Sequence, residues 1–229
     1  MIAADVMVSN VITVSPETRV AEVAEILLQN RISAVPVVDA AGQIVGIVSE
    51  GDLLHRAESG TEIRRSWWLR ALTSNEAMAA DFVRSHSQNV ADVMTRRVVT
   101  ASPDTPLYEI ANLLERHRIK RVPIVKDGKL VGILSRANLL QALASLKPVA
   151  SGKAPGDAMI RDRILAEVQK QPWTHPSLIN VIVQDGEVAL WGVVSSQSEK
   201  DAIRVMAETA PGARTVSDHI IIQRAATGE

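Results

Sequence analysis

Apolar and polar residues follow one order of predicted elements near the start of the chain. A β-branched run at Val11–Val14 predicts a strand, and Ser-Pro follows it. Apolar residues at three-and-four spacing over residues 19–30 predict an amphipathic helix with Thr18 as its N-cap. The runs at Val35–Val38 and Ile44–Ser49 predict two more strands, and a second helix follows. The unit is β-α-β-β-α.

The same unit occurs twice. Residues Ala4–Asp39 align without a gap with Ala91–Lys126, and 17 of the 36 pairs are identical. After a one-residue deletion the match continues through Val131–Ser135. Units that repeat usually stack to bury faces that neither can bury alone. We therefore expect two pseudo-twofold-related copies that pack sheet to sheet.

A third, smaller unit follows a Pro- and Gly-rich stretch. Its pattern predicts a helix around Ile160–Val168, a hairpin, a helix preceded by the capping-box spacing of Ser196 and Glu199, and a last strand over Thr215–Gln223. The hairpin strands are Ile179–Val183 and Val188–Val193. The order is α-β-β-α-β, so the whole chain belongs to the α+β class.

Composition narrows the possible functions. The chain has 229 residues, 46% of them apolar and 22% charged, as expected for a soluble globular protein. A net charge of −1 gives no electrostatic argument for a nucleic-acid partner. There is no cysteine, no signal-peptide pattern and no apolar run of membrane-spanning length, which predicts a cytoplasmic protein.

Catalytic and metal-binding patterns find no support in the sequence. The five histidines have no metal-ligand spacing, and there is no Gly-rich phosphate loop, serine elbow or clustered acidic pair. We therefore predict that the protein is not an enzyme and that it holds neither a metal nor a required cofactor.

The repeated motifs resemble those of a known family. Each copy has Val-Met near its start, Ser-Pro before its first helix, a Val-Pro strand, and a Gly-Ile-Val-Ser-Glu-Gly-Asp or Gly-Ile-Leu-Ser-Arg-Ala-Asn end. Over roughly residues 1–146 this looks like a pair of CBS domains, a Bateman module. The resemblance implies a homodimer and a sensor of AMP, ADP, ATP, S-adenosylmethionine or a related adenosine ligand, bound in clefts between the repeats.

The resemblance assigns ligand contacts to a Ser-x-x-Asp motif. A carboxylate can accept from both hydroxyls of a ribose, and a helix N-terminus with a nearby hydroxyl offers donors to phosphate. Ser49 and Asp52 take these roles in the first copy, although Asp52 could instead only complement the helix dipole. The second copy has Ser135 and the uncharged Asn138, so we expect unequal sites.

Cations and apolar residues complete the expected sites. Family members place basic residues before the Val-Pro strand against phosphate, and here these are Lys120 and Arg121, for which a solvated edge is the alternative. The adenine is expected against apolar positions that could equally be plain core, namely Val11, Ile12, Ala34, Pro36, Val98, Val99 and Pro123.

Five segments result from this interpretation. They are the first repeat (1–56), a helical inter-repeat segment (57–89), the second repeat (90–146), a linker (147–156) and the third unit (157–224). In the inter-repeat segment, Trp67 and Trp68 lie about 100° apart on a helix, so one could pack inward while the other meets a partner. The alternative is that both cover the core of the module.

The third unit resembles a BON domain through its element order and the phrase Val-Gln-Asp-Gly-Glu-Val-Ala-Leu-Trp-Gly-Val-Val. It departs from the family at Pro211–Ala213, where Gly-Val is usual. Some BON proteins contact phospholipid, but the missing signal segment argues against membrane contact here. We expect Trp173 and Trp191 in the core rather than at a lipid surface.

Three functional interpretations follow. The first is a regulatory protein whose CBS pair binds an adenine nucleotide as effector and signals to a protein partner or to its BON domain through differential affinity for two arrangements. The second is a ligand-free dimeric scaffold, which Asn138 would allow. The third is an enzyme with an unrecognised site.

Overall fold

The structure is a computed structural model that describes residues 1–54, 82–83, 85–145 and 156–223. Helices and strands of these residues build an α+β fold, as the sequence predicts. Labels below count the elements of these residues in chain order.

Each repeat contains a pair of strands and an amphipathic helix before it. The first repeat has α1 (Ala3–Val6), α2 (Val20–Gln29), β1 (Ala34–Val38), β2 (Ile44–Ser49) and α3 (Glu50–Leu53). The second has α4 (Val90–Val93), α5 (Leu107–Arg116), β3 (Arg121–Lys126), β4 (Lys129–Ser135) and α6 (Arg136–Ser145). The strands of each pair are hydrogen-bonded to each other.

The C-terminal segment, residues 156–223, has the predicted order of elements. They are α7 (Asp157–Lys170), a 3-10 turn (Pro176–Leu178), β5 (Ile179–Gln184), β6 (Glu187–Val194), α8 (Gln197–Glu208) and β7 (Thr215–Ile222). Strand β6 pairs antiparallel with β5 and parallel with β7. Asp185 and Gly186 make the hairpin turn with φ of 52° and 76°, the left-handed pair that matches strand twist.

Two compact units divide the chain, and their membership differs from the sequence repeats. The first-repeat unit consists of Ile12–Val98 and Asp127–Leu130. The second-repeat unit consists of Met1–Val11, Val99–Lys126 and Val131–Glu229. The opening segment of each repeat thus belongs to the unit built around the other repeat.

A contact between a methionine and a glycine holds the opening segment of each repeat in the unit built around the other repeat. In the second-repeat unit, a Cβ atom on Gly132 would overlap the side chain of Met7, and Val8 pairs with Ile133. In the first-repeat unit, Gly46 faces Met94 in the same way. The Val-Met and Gly-Ile motifs of the sequence are therefore the two halves of one contact, which only glycine leaves room for.

Two local predictions are wrong. The strand predicted at Val11–Val14 is reduced to one bridge, in which Val14 pairs with Val37. Helix α2 begins at Val20 with Arg19 at the N-cap, and Thr18 instead accepts a hydrogen bond from the Ser15 N–H at 3.0 Å. The Thr18 hydroxyl lies three residues after Ser15, so it accepts a hydrogen bond from the backbone N–H of the Ser-Pro turn and is not available to cap the helix.

In the C-terminal segment, α7 and α8 cover one face of the three-stranded sheet. The buried core of this face includes Ile164, Val181, Leu190, Ile203 and Ile220. The predicted cap of α8 is present, since Ser196 Oγ accepts from the Glu199 N–H at 3.2 Å. This face of the segment is closed by its own helices.

Some predictions fall outside the described residues. These are Trp67, Trp68, most of the inter-repeat segment and residues 147–155 of the linker. Among the described helices, none is both long and apolar enough to cross a membrane.

Candidate functional site

The first Ser-x-x-Asp motif lies where β2 passes into α3. Asp52 Oδ2 accepts hydrogen bonds from the Ser49 N–H at 2.8 Å and from Ser49 Oγ at 2.6 Å. Asp52 is half-buried, and no hydrogen bond from a described residue reaches its second oxygen, Oδ1. A charged acceptor therefore remains beside the serine.

Strand pairing brings other predicted residues of the first-repeat unit beside this motif. Ala34 is paired directly with Ser49, and Pro36 lies two residues further along β1. Both are buried, and the Pro36 carbonyl accepts from the Val14 N–H at 3.1 Å. Ile12 and Val98 are half-buried in the same unit. Ile12 packs against the apolar core of that unit, which is also the alternative role predicted for it.

The second motif has the same local geometry with an amide in place of the carboxylate. Asn138 Oδ1 accepts from the Ser135 N–H at 2.8 Å and from Ser135 Oγ at 2.7 Å. The amide Nδ2 of Asn138 donates to Gln141 Oε1 at 3.2 Å. Asn138 is only 6% exposed, so its polar group is directed into the protein.

The remaining predicted residues of the second-repeat unit surround β3. Lys120 is exposed, and Arg121 is half-buried at the start of the strand. Pro123 is buried, and its carbonyl accepts from the Ala101 N–H at 3.1 Å. Val11 and Val99 are half-buried and end and begin the chain segments of this unit.

Sequence reasoning missed two polar residues beside the second motif. Gln141 accepts from Asn138 and also, at 2.9 Å, from Asn180 Nδ2 of the C-terminal segment. The three-residue spacing of Asn138 and Gln141 on one helix could have indicated the first contact. Nothing in the spacing indicates Asn180, which lies 39 residues further along the chain.

The two tryptophans of the C-terminal segment have different surroundings. Trp173 is 38% exposed, so the prediction that it lies in the core is wrong. Trp191 is half-buried and stacks on His219 with ring centroids 4.1 Å apart. It packs against the apolar cluster of the second repeat and not against the core under α7 and α8. No group of three or more metal-ligating side chains occurs within the described part of the chain.

Comparison with protein families identifies all three units. Residues 3–59 and 90–145 match the CBS domain, and residues 156–224 match the BON domain. Both resemblances stated from the motifs are thus confirmed.

Relatives match the repeat pair. The uncharacterized protein MJ1426 of Methanocaldococcus jannaschii is 31% identical over 154 residues, 62% of this chain and 91% of that protein. The chloroplastic CBSX1 of Arabidopsis thaliana is 32% identical over 145 residues, 58% of this chain and 59% of CBSX1. An inosine-5'-monophosphate dehydrogenase of Nitrosopumilus maritimus is 31% identical over 126 residues, only 21% of that enzyme. The similarity to the dehydrogenase is therefore confined to a minor part of its length.

A solved structure agrees. The crystal structure of CBSX2 in complex with AMP aligns with a TM-score of 0.55 and 30% identity, over 64% of this chain and 98% of that one. CBSX2 is a chloroplastic CBS domain-containing protein of Arabidopsis thaliana. The chain belongs to the CBS-domain proteins, with two CBS domains followed by a BON domain.

Proposed function

We propose that the CBS pair binds an adenosine-containing ligand, AMP, ADP or ATP, and that occupancy regulates a protein partner or the BON domain of the same chain. The observation that carries this is the Ser49–Asp52 arrangement, in which Oδ2 is held by the serine while Oδ1 has no hydrogen bond from a described residue. A fixed carboxylate with a spare oxygen suits a ribose diol. The complex of CBSX2 with AMP supports the ligand class.

The proposal gives the other predicted residues their roles. Ser49 and Ser135 would contact phosphate, and the exposed Lys120 would add a cation there. The apolar positions around Pro36 and Pro123 would contact the adenine. As part of the same proposal, the chain keeps the predicted segment boundaries. The protein would be cytoplasmic and homodimeric, and it would meet a protein partner at Trp67 or Trp68.

A ligand-free scaffold is the second candidate. Asn138 is buried and its amide already donates to Gln141, so the second motif is committed to contacts within the protein. A pair with one such copy could act by assembly alone.

Thermal unfolding separates the two candidates. The full chain is heated with AMP, ADP, ATP, S-adenosylmethionine or NAD, and a ligand at 100 times its dissociation constant stabilises the fold by about 2.7 kcal/mol. The sensor proposal expects a shift with an adenine nucleotide. An unchanged midpoint with every compound supports the scaffold.

Asp52→Asn is a better variant than Asp52→Ala for comparison with the wild-type chain in this thermal unfolding experiment. Asn138 makes the same two hydrogen bonds to its serine that Asp52 makes, so asparagine keeps the local structure while it removes the charge. We expect the nucleotide-induced shift to fall sharply in Asp52→Asn. The exposed Asp104 of the second repeat gives a control, Asp104→Asn, for the loss of one surface charge.

A further inference from the structure

The BON domain packs against the second repeat within the second-repeat unit. The side chains of Ile182 and Ala189 lie on the face of the BON sheet opposite α7 and α8, and they are 1% and 8% exposed. They belong to one buried apolar cluster with Val6 of α1 and Ala142 of α6, and Trp191 packs against it. The BON domain therefore has an intramolecular docking surface.

A polar relay crosses this docking surface and ends at the second ligand motif. Gln141 Oε1 accepts from Asn138 Nδ2 at 3.2 Å and from Asn180 Nδ2 at 2.9 Å. Asn180 Nδ2 also donates to the carbonyl of Val6 at 3.1 Å. A single glutamine oxygen thus joins the motif residue Asn138 to the BON domain.

Docking also carries unfavourable terms. Asn180 Oδ1 is buried without a hydrogen-bond partner among the described residues, and such an oxygen regains water when the surface opens. Arg161, 4% exposed, donates to the carbonyls of Val181 and Met7 at 2.9 and 2.6 Å. Burial lowers the pKa of its guanidinium, although Asp162 and Asp5 oppose that effect. These terms offset part of the apolar stabilisation of the docked arrangement.

We propose that docking of the BON domain locks the second motif against its ligand, and that ligand binding at Asn138 releases the BON domain. Asn138 is buried, its Oδ1 already accepts two hydrogen bonds and its Nδ2 already donates to Gln141, so a ribose hydroxyl would compete with Gln141 for this amide. Asn180 fixes Gln141 in the position that holds this amide. Coupling between two sites is reciprocal, so ligand and BON domain weaken each other's binding by the same factor. This inference rests on the proposed function and names its regulation.

The first test measures AMP affinity of the full chain by calorimetry in an Asp52→Ala background, where position 52 of the first motif has no side-chain oxygen left to accept from a ribose. Asn180→Ala removes the donor to Gln141, and we expect AMP affinity to rise about fivefold or more. Asn112→Ala, at an exposed position of α5, is the matched control and should leave the affinity unchanged. Unchanged or weaker AMP binding in Asn180→Ala, with binding in the background intact, overturns the proposal.

A second variant acts in the opposite direction. Gln141→Glu keeps an acceptor for both amides and makes their hydrogen bonds charge-assisted, so it tightens the lock. AMP affinity should therefore fall in Gln141→Glu and rise in Asn180→Ala. Because misfolding could not shift the two variants in opposite directions, a shift of the same sign in both contradicts the lock.

Docking itself can be measured without nucleotide. The chain has no cysteine, so spin labels at Arg116→Cys on α5 and Ser198→Cys on α8, both exposed positions, report one distance. We expect Asn138→Ala and Asn180→Ala each to increase the undocked population seen by pulsed electron paramagnetic resonance. If neither AMP, ADP nor ATP binds to the wild-type chain, the proposed function fails. A docked population unchanged in Asn138→Ala overturns the coupling independently.

Discussion

The two Ser-x-x-Asp/Asn motifs have matching geometry and different surroundings. In each, the serine N–H and Oγ donate to one side-chain oxygen three residues later, at 2.8 and 2.6 Å for Asp52 and at 2.8 and 2.7 Å for Asn138. Asp52 is half-buried, whereas Asn138 is only 6% exposed and also donates to Gln141. Since the cap forms without a charge, the charge of Asp52 is not needed for the fold. An amide can also donate, which a carboxylate cannot, and this allows the second copy to be buried.

The largest expected effect comes from Asn138→Asp. The introduced carboxyl loses the bond to Gln141 and is buried beside an acceptor oxygen, which destabilises the fold by about 3 kcal/mol at neutral pH. Burial raises the pKa of this carboxyl above its unfolded value, so the folded state binds more protons. Stability should therefore fall as the pH rises from about 4 to 7, as urea unfolding at several pH values would show. A variant with wild-type stability at pH 7 would contradict the difference in burial.

The next largest effect is expected for substitution of the glycine that contacts a methionine in each of the two units. Gly132→Ala and Gly46→Ala each force a methionine to move and should each cost about 2 kcal/mol in urea unfolding. Only Gly132→Ala displaces Met7, whose carbonyl accepts from Arg161 of the BON domain. The spin-label distance between α5 and α8 should thus change in Gly132→Ala and stay unchanged in Gly46→Ala. An equal change of the spin-label distance in both variants would contradict the expectation that only Gly132→Ala affects the BON domain.

A smaller and equal effect is expected for the two serines. Ser49→Ala and Ser135→Ala each remove the hydroxyl that bonds the residue three positions later, with a loss of about 1 kcal/mol in the free energy of unfolding. The similarity of the two losses is the check, because the hydrogen-bond lengths match. Losses that differ by more than about 1 kcal/mol would show that the two caps are not equivalent.

The smallest effect on stability is expected for Asp52→Asn. The amide oxygen replaces the carboxylate oxygen in both hydrogen bonds, and only the interaction of the charge with the helix N-terminus is lost, about 0.5 kcal/mol. Together with a large loss of nucleotide binding, this near-neutral change would separate function from folding at Asp52. A loss of stability as large as that in Asn138→Asp would instead make Asp52 a structural residue.

Local pattern predicted most of the elements of the fold. The hairpin β5–β6 and the strand β2 were predictable because alternation of apolar residues and Asp-Gly turns act over a few residues. The β-branched run at Val11–Val14 wrongly predicted a strand, because local pattern does not show how much of a partner strand will lie beside it, and only the bridge between Val14 and Val37 forms. For the candidate site, Ser49, Asp52, Ser135 and Asn138 could be found because the motif is local.

The sequence by itself determined that one unit occurs twice, that a third unit follows, and that the two motifs differ by a charge. Only the tertiary structure decided that Met7 packs on Gly132 and Met94 on Gly46, and that Asn180 reaches Gln141. The physical reason is the range of the interactions. Capping and strand alternation depend on neighbours within a few positions, whereas a buried amide finds its partner only after distant segments have packed together.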